Sequence, residues 1–395
     1  MLIAILGRQP KLSLAELEGY FGSNAVQTFS NQAALIDQLT ANINHLGGTL
    51  KIAQVDFEFN SKTPLEVLHQ IEKYYVKNLP TNLGKITLGI SWYGAPLAPK
   101  IINHTLLKIK ARLKKTVSLR LLPVTDLALS TATAHHNSLG KSPKKIEIIV
   151  AQNHQQFVIG RSIGCQNISA YRDRDQKRPL RDSKVGMLPP KLAQIMINLA
   201  RNQVNSTEAI TLLDPFCGTG VVLQEAHLMG FRIIGSDLEP KMTEFTRKNL
   251  TWLDRNLTAT PLLNGDATKL KWPKFDIVAS ESYLGKPFGS PPTIAQIIAE
   301  KSLVSGIVSG FLRNLYPQLA DNGQICLAVP AWLRPDGHYE DLGLITAKSL
   351  EKLGFKYKKF RFVQNQDLLY FRAEQSVARR LLVLQKIPEI SAKLD

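Results

Sequence analysis

An apolar run over residues 210–215 leads through Asp214-Pro215-Phe216-Cys217-Gly218-Thr219-Gly220 into a helix-forming stretch over 221–229. Glycine belongs where backbone takes positive φ or approaches a ligand closely, so this junction reads as strand, tight turn and helix start. Short apolar strands and longer helices then alternate. Strands are predicted at 210–215, 232–236, 260–263, 275–279, 324–329, 355–362 and 380–385, and helices at 221–229, 240–249, 294–315 and 339–353. Such alternation folds as a mainly parallel sheet with helices on both faces, which puts a ligand at the carboxyl ends of the strands.

The turn narrows the ligand. A dinucleotide fingerprint would require a third glycine at position 223, where Leu223 stands, so NAD and FAD are disfavoured. Asp214, at the end of the first strand, is placed to meet the amino group of a bound amino acid, as in the methionine end of S-adenosylmethionine. Asp237 ends the second strand about 20 residues later, where an acid accepts ribose hydroxyls. Asp266 follows the third strand and can accept from an adenine amino group, with the Ala267 amide facing the ring. Each acid alone could simply cap the following helix. Three at successive strand ends, with Phe216, Gly218 and Gly220 in the turn, are read together as an S-adenosylmethionine site.

Ahead of this region the pattern differs. Residues 2–6 read as a strand and 13–21 as a helix, with Ser13 and Glu16 as a capping box. Apolar runs over 33–39 and 51–57 complete a small α+β unit, giving an expected domain at 1–60. A second unit, 61–165, contains a helix over 64–76, a strand over 86–92, a helix over 101–115 and strands over 117–123, 145–151 and 155–164. On the 101–115 helix, Ile102, Leu106, Ile109 and Leu113 form one apolar stripe, and Lys108, Lys110, Arg112, Lys114 and Lys115 occupy the rest. Residues 166–190 read as a polar, basic connector, and 191–395 as the domain with the parallel sheet.

Charge points to a polyanion. The net charge is +17, and between Lys85 and Lys191 there are 19 Lys or Arg against five acids. A solvated surface is the plain alternative for such a run. Beside a cofactor domain it is read as a nucleic-acid surface, with Lys114, Lys115, Arg172, Arg174 and Arg178 as candidate phosphate contacts. Three widely separated cysteines suggest neither a disulfide framework nor a metal site, so a reducing cytoplasm is expected. The apolar N-terminus is too short for a signal sequence, and no membrane span is expected. Eight scattered histidines with a single pair, His135-His136, give no metal-ligand spacing, and no P-loop or nucleophile elbow occurs.

The cofactor motif together with residues 2–17, Arg178-Pro179 and Met187-Leu188-Pro189-Pro190-Lys191-Leu192-Ala193 resembles the THUMP-containing class I tRNA guanosine-N2 methyltransferases that modify guanosine 10. The resemblance implies a ferredoxin-like N-terminal domain, a THUMP-like RNA-binding domain and a seven-stranded Rossmann-like catalytic sheet ending in an antiparallel hairpin. It implies tRNA as substrate.

The catalytic motif departs from that family's pattern. Such enzymes carry Asp-Pro-Pro-Tyr after the fourth strand, where an acceptor withdraws hydrogen from a poorly nucleophilic exocyclic amine and the aromatic ring stacks on the flipped base. Here the segment is Ala279-Ser280-Glu281-Ser282-Tyr283-Leu284-Gly285. Glu281 and Tyr283 are the expected acceptor and stacking residue, with Ser280 beside them. Two alternatives stay open: a DNA or ribosomal RNA amino-methyltransferase, and an RNA-binding pseudo-methyltransferase that has lost turnover with its prolines.

Overall fold

The computed structural model describes residues 1–80, 82–181, 187–201, 210–286, 288, 292–343, 346–372 and 375–388. They form two units: residues 1–14 with 23–170, and residues 15–22 with 171–395. Residues 182–186 of the expected connector lie outside the described part.

The first unit is built on one eight-stranded sheet. Its strands are β1 (Leu2–Leu6), β2 (Val26–Thr28), β3 (Ala33–Ile36), β4 (Thr49–Asn60), β5 (Lys85–Tyr93), β6 (Ser118–Leu122), β7 (Lys145–Asn153) and β8 (Gln156–Cys165), in spatial order β2-β3-β1-β4-β8-β7-β5-β6. β4 pairs with β1 on one side and β8 on the other. Strands on both sides of the expected boundary at residue 60 therefore belong to the same sheet. Helix α1 (Pro10–Phe21) starts three residues earlier than expected. Ser13 is no N-cap: it is buried, donates to the Gly48 carbonyl at 2.7 Å and accepts from the Gly7 amide at 3.2 Å. A hydroxyl that clamps two loops in this way is not available to a helix terminus.

Helix α2 (Pro64–Asn78) has its cap at Thr63 and proline at its first position, where the missing N–H costs nothing. In α3 (Pro99–Leu113), Ile102, Leu106, Ile109 and Leu113 are all buried, as the stripe requires, and they pack with β5 and β6, which run parallel. A short α4 (Thr131–His136) contains the histidine pair. One buried feature has no local signal. Lys51 on β4 bonds Glu147 on β7 and the Leu129 carbonyl, while Ser91 donates to the same Glu147 oxygen. A charge this deep persists only when paired and hydrogen-bonded.

The second unit contains α5 (Ile168–Gln176) from Tyr171 onward, and α6 (Pro190–Ala200), followed by β9 (Thr211–Asp214), α7 (Val221–Leu228), β10 (Arg232–Asp237), α8 (Pro240–Leu253), β11 (Leu262–Asn264), β12 (Ile277–Glu281), α9 (Ile294–Leu315), β13 (Gln324–Leu333), β14 (Tyr339–Glu340), α10 (Ala347–Glu351), β15 (Phe355–Tyr357), β16 (Leu369–Tyr370) and β17 (Val377–Lys386). The seven principal strands lie in the order β11-β10-β9-β12-β13-β17-β15, with β14 and β16 added at β13 and β17. The first five are parallel, and β17 is antiparallel to both neighbours. This is the expected doubly wound α/β sheet with its antiparallel finish. The order reverses between β9 and β12, which opens a crevice at their carboxyl ends.

Two expected elements change. The helix over 339–353 shrinks to α10, because Tyr339 and Glu340 pair with Leu333 and Trp332 in a hairpin. The strand at 355–362 stops at Tyr357, where Lys358 turns inward. Its ammonium donates to the carbonyls of Leu199 and Arg201 at the end of α6 and to Gln324, and burial lowers its pKa to about 8. The 22-residue α9 starts with a Thr293–Gln296 capping box. By length and composition Ile294–Gln318 could cross a membrane, where no span is expected from the sequence. One face, including Val304, Val308, Phe311 and Leu315, is buried in the core of this unit.

Candidate active site

The carboxyl ends of β9, β10 and β11 are laced together by backbone bonds. Cys217 N donates to the Ser236 carbonyl at 2.8 Å, and Gly265 N donates to the Asp237 carbonyl at 3.0 Å. Gly218 and Gly220 both have positive φ, +52° and +84°. They serve different ends. A Cβ at Gly220 would lie 2.9 Å from Thr246 Cγ2, so glycine there permits α7 to approach α8; a Cβ at Gly218 would meet nothing within 4 Å. The open space over Gly218 is where a ligand can approach the backbone. Thr246 secures the turn by donating to the Gly218 carbonyl at 2.8 Å. Phe216 packs edge-on against Phe311 of α9.

The three acids differ in environment. Asp214 is 1% exposed, and its Oδ1 accepts from Ser280 Oγ at 2.5 Å and Phe216 N at 3.3 Å. Burial raises its pKa to about 7, with Asp237 and Glu281 close enough to add to the rise. Asp237 accepts from Gly218 N at 2.8 Å on Oδ2 and from Glu239 N at 3.0 Å on Oδ1, and burial raises its pKa. Its second lone pairs are what ribose hydroxyls would need. Asp266 commits Oδ1 to the Thr268 hydroxyl and amide, bonds that hold its pKa below the usual carboxylate range, and Oδ2 lies 3.8 Å from Lys269 Nζ. Asp266 therefore caps its own turn and keeps one oxygen outside that cap. Ala267 is buried, and its carbonyl accepts from Asn314 at 2.9 Å.

The residues after β12 divide in two. Ser280 is fully buried and holds Asp214, so its hydroxyl points into the sheet end and away from a substrate. Glu281 Oε1 accepts from Arg379 Nε of β17 in a close ion pair. Burial raises the Glu281 pKa and Arg379 opposes the rise. Ser282 bonds the Ala328 carbonyl through both amide and hydroxyl, which ties the loop to β13. Tyr283 is 40% exposed. The sequence reading missed Arg379. Its signal is the pair Arg379-Arg380 within the apolar β17: side chains alternate in a strand, and a central strand flanked on both edges gives charges of either face no water unless partners are supplied. Arg380 has Asp341 as its partner, at 3.0 and 3.1 Å.

The candidate phosphate contacts separate sharply. Arg172 is exposed, as are Lys114 and Lys115, which fall in the turn after α3. Arg174 is not free. It grips the buried Glu225 of α7 through Nε at 2.5 Å and Nη2 at 3.1 Å, and Gln194 donates to the same carboxylate at 2.9 Å. Arg174 is partly buried and Arg178 fully so, at 3% exposure. Neither can reach a solvated phosphate, because both guanidinium groups face the interior of the unit. Among the described residues no group of three or more His, Cys, Asp or Glu is placed to hold a metal ion.

Residues 178–331, from just after α5 to within β13, match the family model described as RMKL-like, methyltransferase domain. That stretch is similar to this methyltransferase domain. Within it lie the glycine turn, all three strand-end acids and the Ser280–Tyr283 segment. The chain is also similar to the tRNA (guanine(10)-N2)-dimethyltransferases of Methanothermobacter thermautotrophicus, 35% identical over 161 residues, and of Pyrococcus abyssi, 37% identical over 148 residues. The matched part is 40% and 36% of this chain and 43% and 39% of those relatives, so the chain spans about two fifths of their length. Among solved structures, TrmN from Thermus thermophilus aligns with 98% of this chain and 99% of its own at a TM-score of 0.51 and 18% identity, a likeness of fold.

Proposed function

We propose that this methyltransferase domain uses S-adenosylmethionine to methylate N2 of a guanosine in tRNA. The observation that carries the reading is the meeting of Asp214, Asp237 and the open Gly218 turn with Glu281 and Tyr283 at one end of the sheet. The names of the relatives at 35% and 37% identity support the substrate. The exposed Lys114, Lys115 and Arg172 supply phosphate contacts, with 61–165 as the THUMP-like, RNA-binding part of the first unit. Three free, buried cysteines suit a reducing cytoplasm.

The site residues fit the cofactor: a carboxylate for the ammonium in Asp214, one for the ribose in Asp237, and room at Gly218. When bound, S-adenosylmethionine supplies an electrophilic methyl group on a sulfonium sulfur. Asp214 balances the ammonium of the amino-acid arm, and Ser280 fixes its carboxyl. Tyr283 stacks on the extruded guanine. Glu281, held by Arg379, presents its other oxygen to a hydrogen of the exocyclic amine, which frees the nitrogen lone pair for the methyl group. A carboxylate that accepts only suits guanine, whose N1 and N2 both donate.

The test is methyl transfer by the full chain to unmodified tRNA, with nucleosides resolved by mass spectrometry. N2-methylguanosine or N2,N2-dimethylguanosine is expected. Methylated adenosine would replace the target. Binding of both ligands without transfer would favour a pseudo-methyltransferase, a reading to which the engagement of Glu281 by Arg379 lends support.

A further inference from the structure

Tyr339 and Phe371 take no part in the mechanism above, yet the fold holds them beyond its reacting end. In β13, Ala328 is the register partner of Glu281 on β12, and Trp332 is that of Glu340 on β14. β17 occupies the other edge of β13 at both positions, so β12 and β14 line the same edge, one beyond the other. Four residues separate the two pairings, about 13 Å at the rise of an extended strand. β14 therefore stands past the carboxyl end of β12, the end that carries Glu281 and Tyr283.

Ion pairs fix it there. Glu340 accepts from Lys301 Nζ of α9 at 2.5 Å and from Arg334 Nη1 at 3.2 Å, and Asp341 accepts from Arg380 Nε and Nη2 of β17 at 3.0 and 3.1 Å. Phe371 follows β16, in which Tyr370 pairs with Arg379, the residue that holds Glu281. Arg379 Nη1 also donates to Gln375 Oε1 at 3.4 Å, and Gln375 N donates to the Arg372 carbonyl at 3.0 Å. The turn that carries Phe371 is thus tied to the same arginine as the acceptor carboxylate. The rings of Tyr339 and Phe371 meet with centroids 5.9 Å apart and planes at 41°. Phe371 is 40% exposed, and Tyr339 is half-buried. One exposed ring on a surface is ordinary. Two in contact, braced by ion pairs beyond the acceptor, suit a planar partner.

Extruding a guanosine towards Glu281 and Tyr283 strips a stacking face from its neighbours in the RNA chain. Every base has such a face, and aromatic side chains accept it whatever the sequence. The distance from Glu281 is too great for one guanine ring to touch both places, so a base met here is a neighbour of the target. We infer that Tyr339 and Phe371 form a stacking platform for an unpaired base adjoining the target guanosine. This rests on the RNA methyltransferase reading.

Methyl transfer and filter binding by the full chain test it, with unmodified tRNA compared against transcripts that carry one abasic nucleotide at each position neighbouring the methylated guanosine in turn. Phe371→Ala should raise the KM for tRNA about tenfold and leave the KM for S-adenosylmethionine unchanged. At one neighbouring position the abasic nucleotide should cost wild type a similar factor and cost Phe371→Ala nothing further, the non-additivity of two groups in contact. Phe371→Trp keeps an aromatic face and should bind tRNA as wild type does. Phe371→Leu fills the apolar volume without one; it should behave as Phe371→Ala does, and it serves if the alanine variant does not fold. Losses that simply add at every position would make Phe371 structural and overturn the inference, as would an unchanged KM in Phe371→Ala. Normal methylation with additive losses defeats the platform alone, whereas a wild type that methylates no tRNA defeats the function reading and the inference with it.

Discussion

Replacing Asp214 with asparagine should change how the stability of the second unit depends on pH. Asp214 is 1% exposed, and its pKa is raised from 3.8 to about 7. At 1.36 kcal/mol per unit, keeping this group ionised above pH 7 costs the folded state roughly 4 kcal/mol. Because the folded-state pKa lies above the unfolded one, the native protein holds the proton more tightly between pH 3.8 and about 7. Stability from this group therefore falls as pH rises through that window and levels off above it. The substituted amide cannot titrate, and its side-chain oxygen still accepts from Ser280 and Phe216. The difference in unfolding free energy, Asp214→Asn minus wild type, should grow from pH 5 to 7 and plateau by pH 8. Urea unfolding followed by amide exchange of β9 and β12 reports on this unit separately from the first. A difference that does not vary with pH would show that the carboxyl is not desolvated as described. Binding of a cationic amino group should reverse the preference, so S-adenosylmethionine affinity should weaken below pH 7 in wild type.

Glu281→Gln should lower methyl transfer by on the order of 10²-fold or more, with cofactor affinity little changed. It also removes the Glu281 half of the close ion pair with Arg379, so a loss of stability is expected by denaturation; adding Arg379→Gln should recover part of it without restoring transfer. Recovery of activity in that double variant would remove Glu281 from the chemistry. Arg174→Ala should destabilise the second unit by about 3 to 5 kcal/mol through the stranded Glu225, while tRNA affinity in filter binding stays close to wild type. Lys114→Ala with Lys115→Ala should weaken tRNA binding and flatten its dependence on log salt by roughly one unit or more; an unchanged slope would make these lysines ordinary solvated residues.

What the residues determine by themselves is the order and kind of elements wherever periodicity is strong. The α3 stripe, the full span of α9 and all seven principal strands of the second sheet follow from local pattern, because burying an apolar face is decided residue by residue along an element. The glycine turn and the acids after β9, β10 and β11 are legible for the same reason: a strand, a turn and a helix start are adjacent in the chain. The fold alone decided which charges keep their water. Arg172, Arg174 and Arg178 share one segment of sequence, yet Arg172 is exposed, Arg174 closes on Glu225, 51 positions away, and Arg178 is buried with two donors unanswered among the described residues. Ser280 reads as a neighbour of Glu281 but belongs to Asp214, 66 positions away, and Glu281 to Arg379, 98 positions away. The desolvation of a charge, and the partner that offsets it, are set by what packs across from it, and that is a property of the tertiary structure rather than of the local sequence.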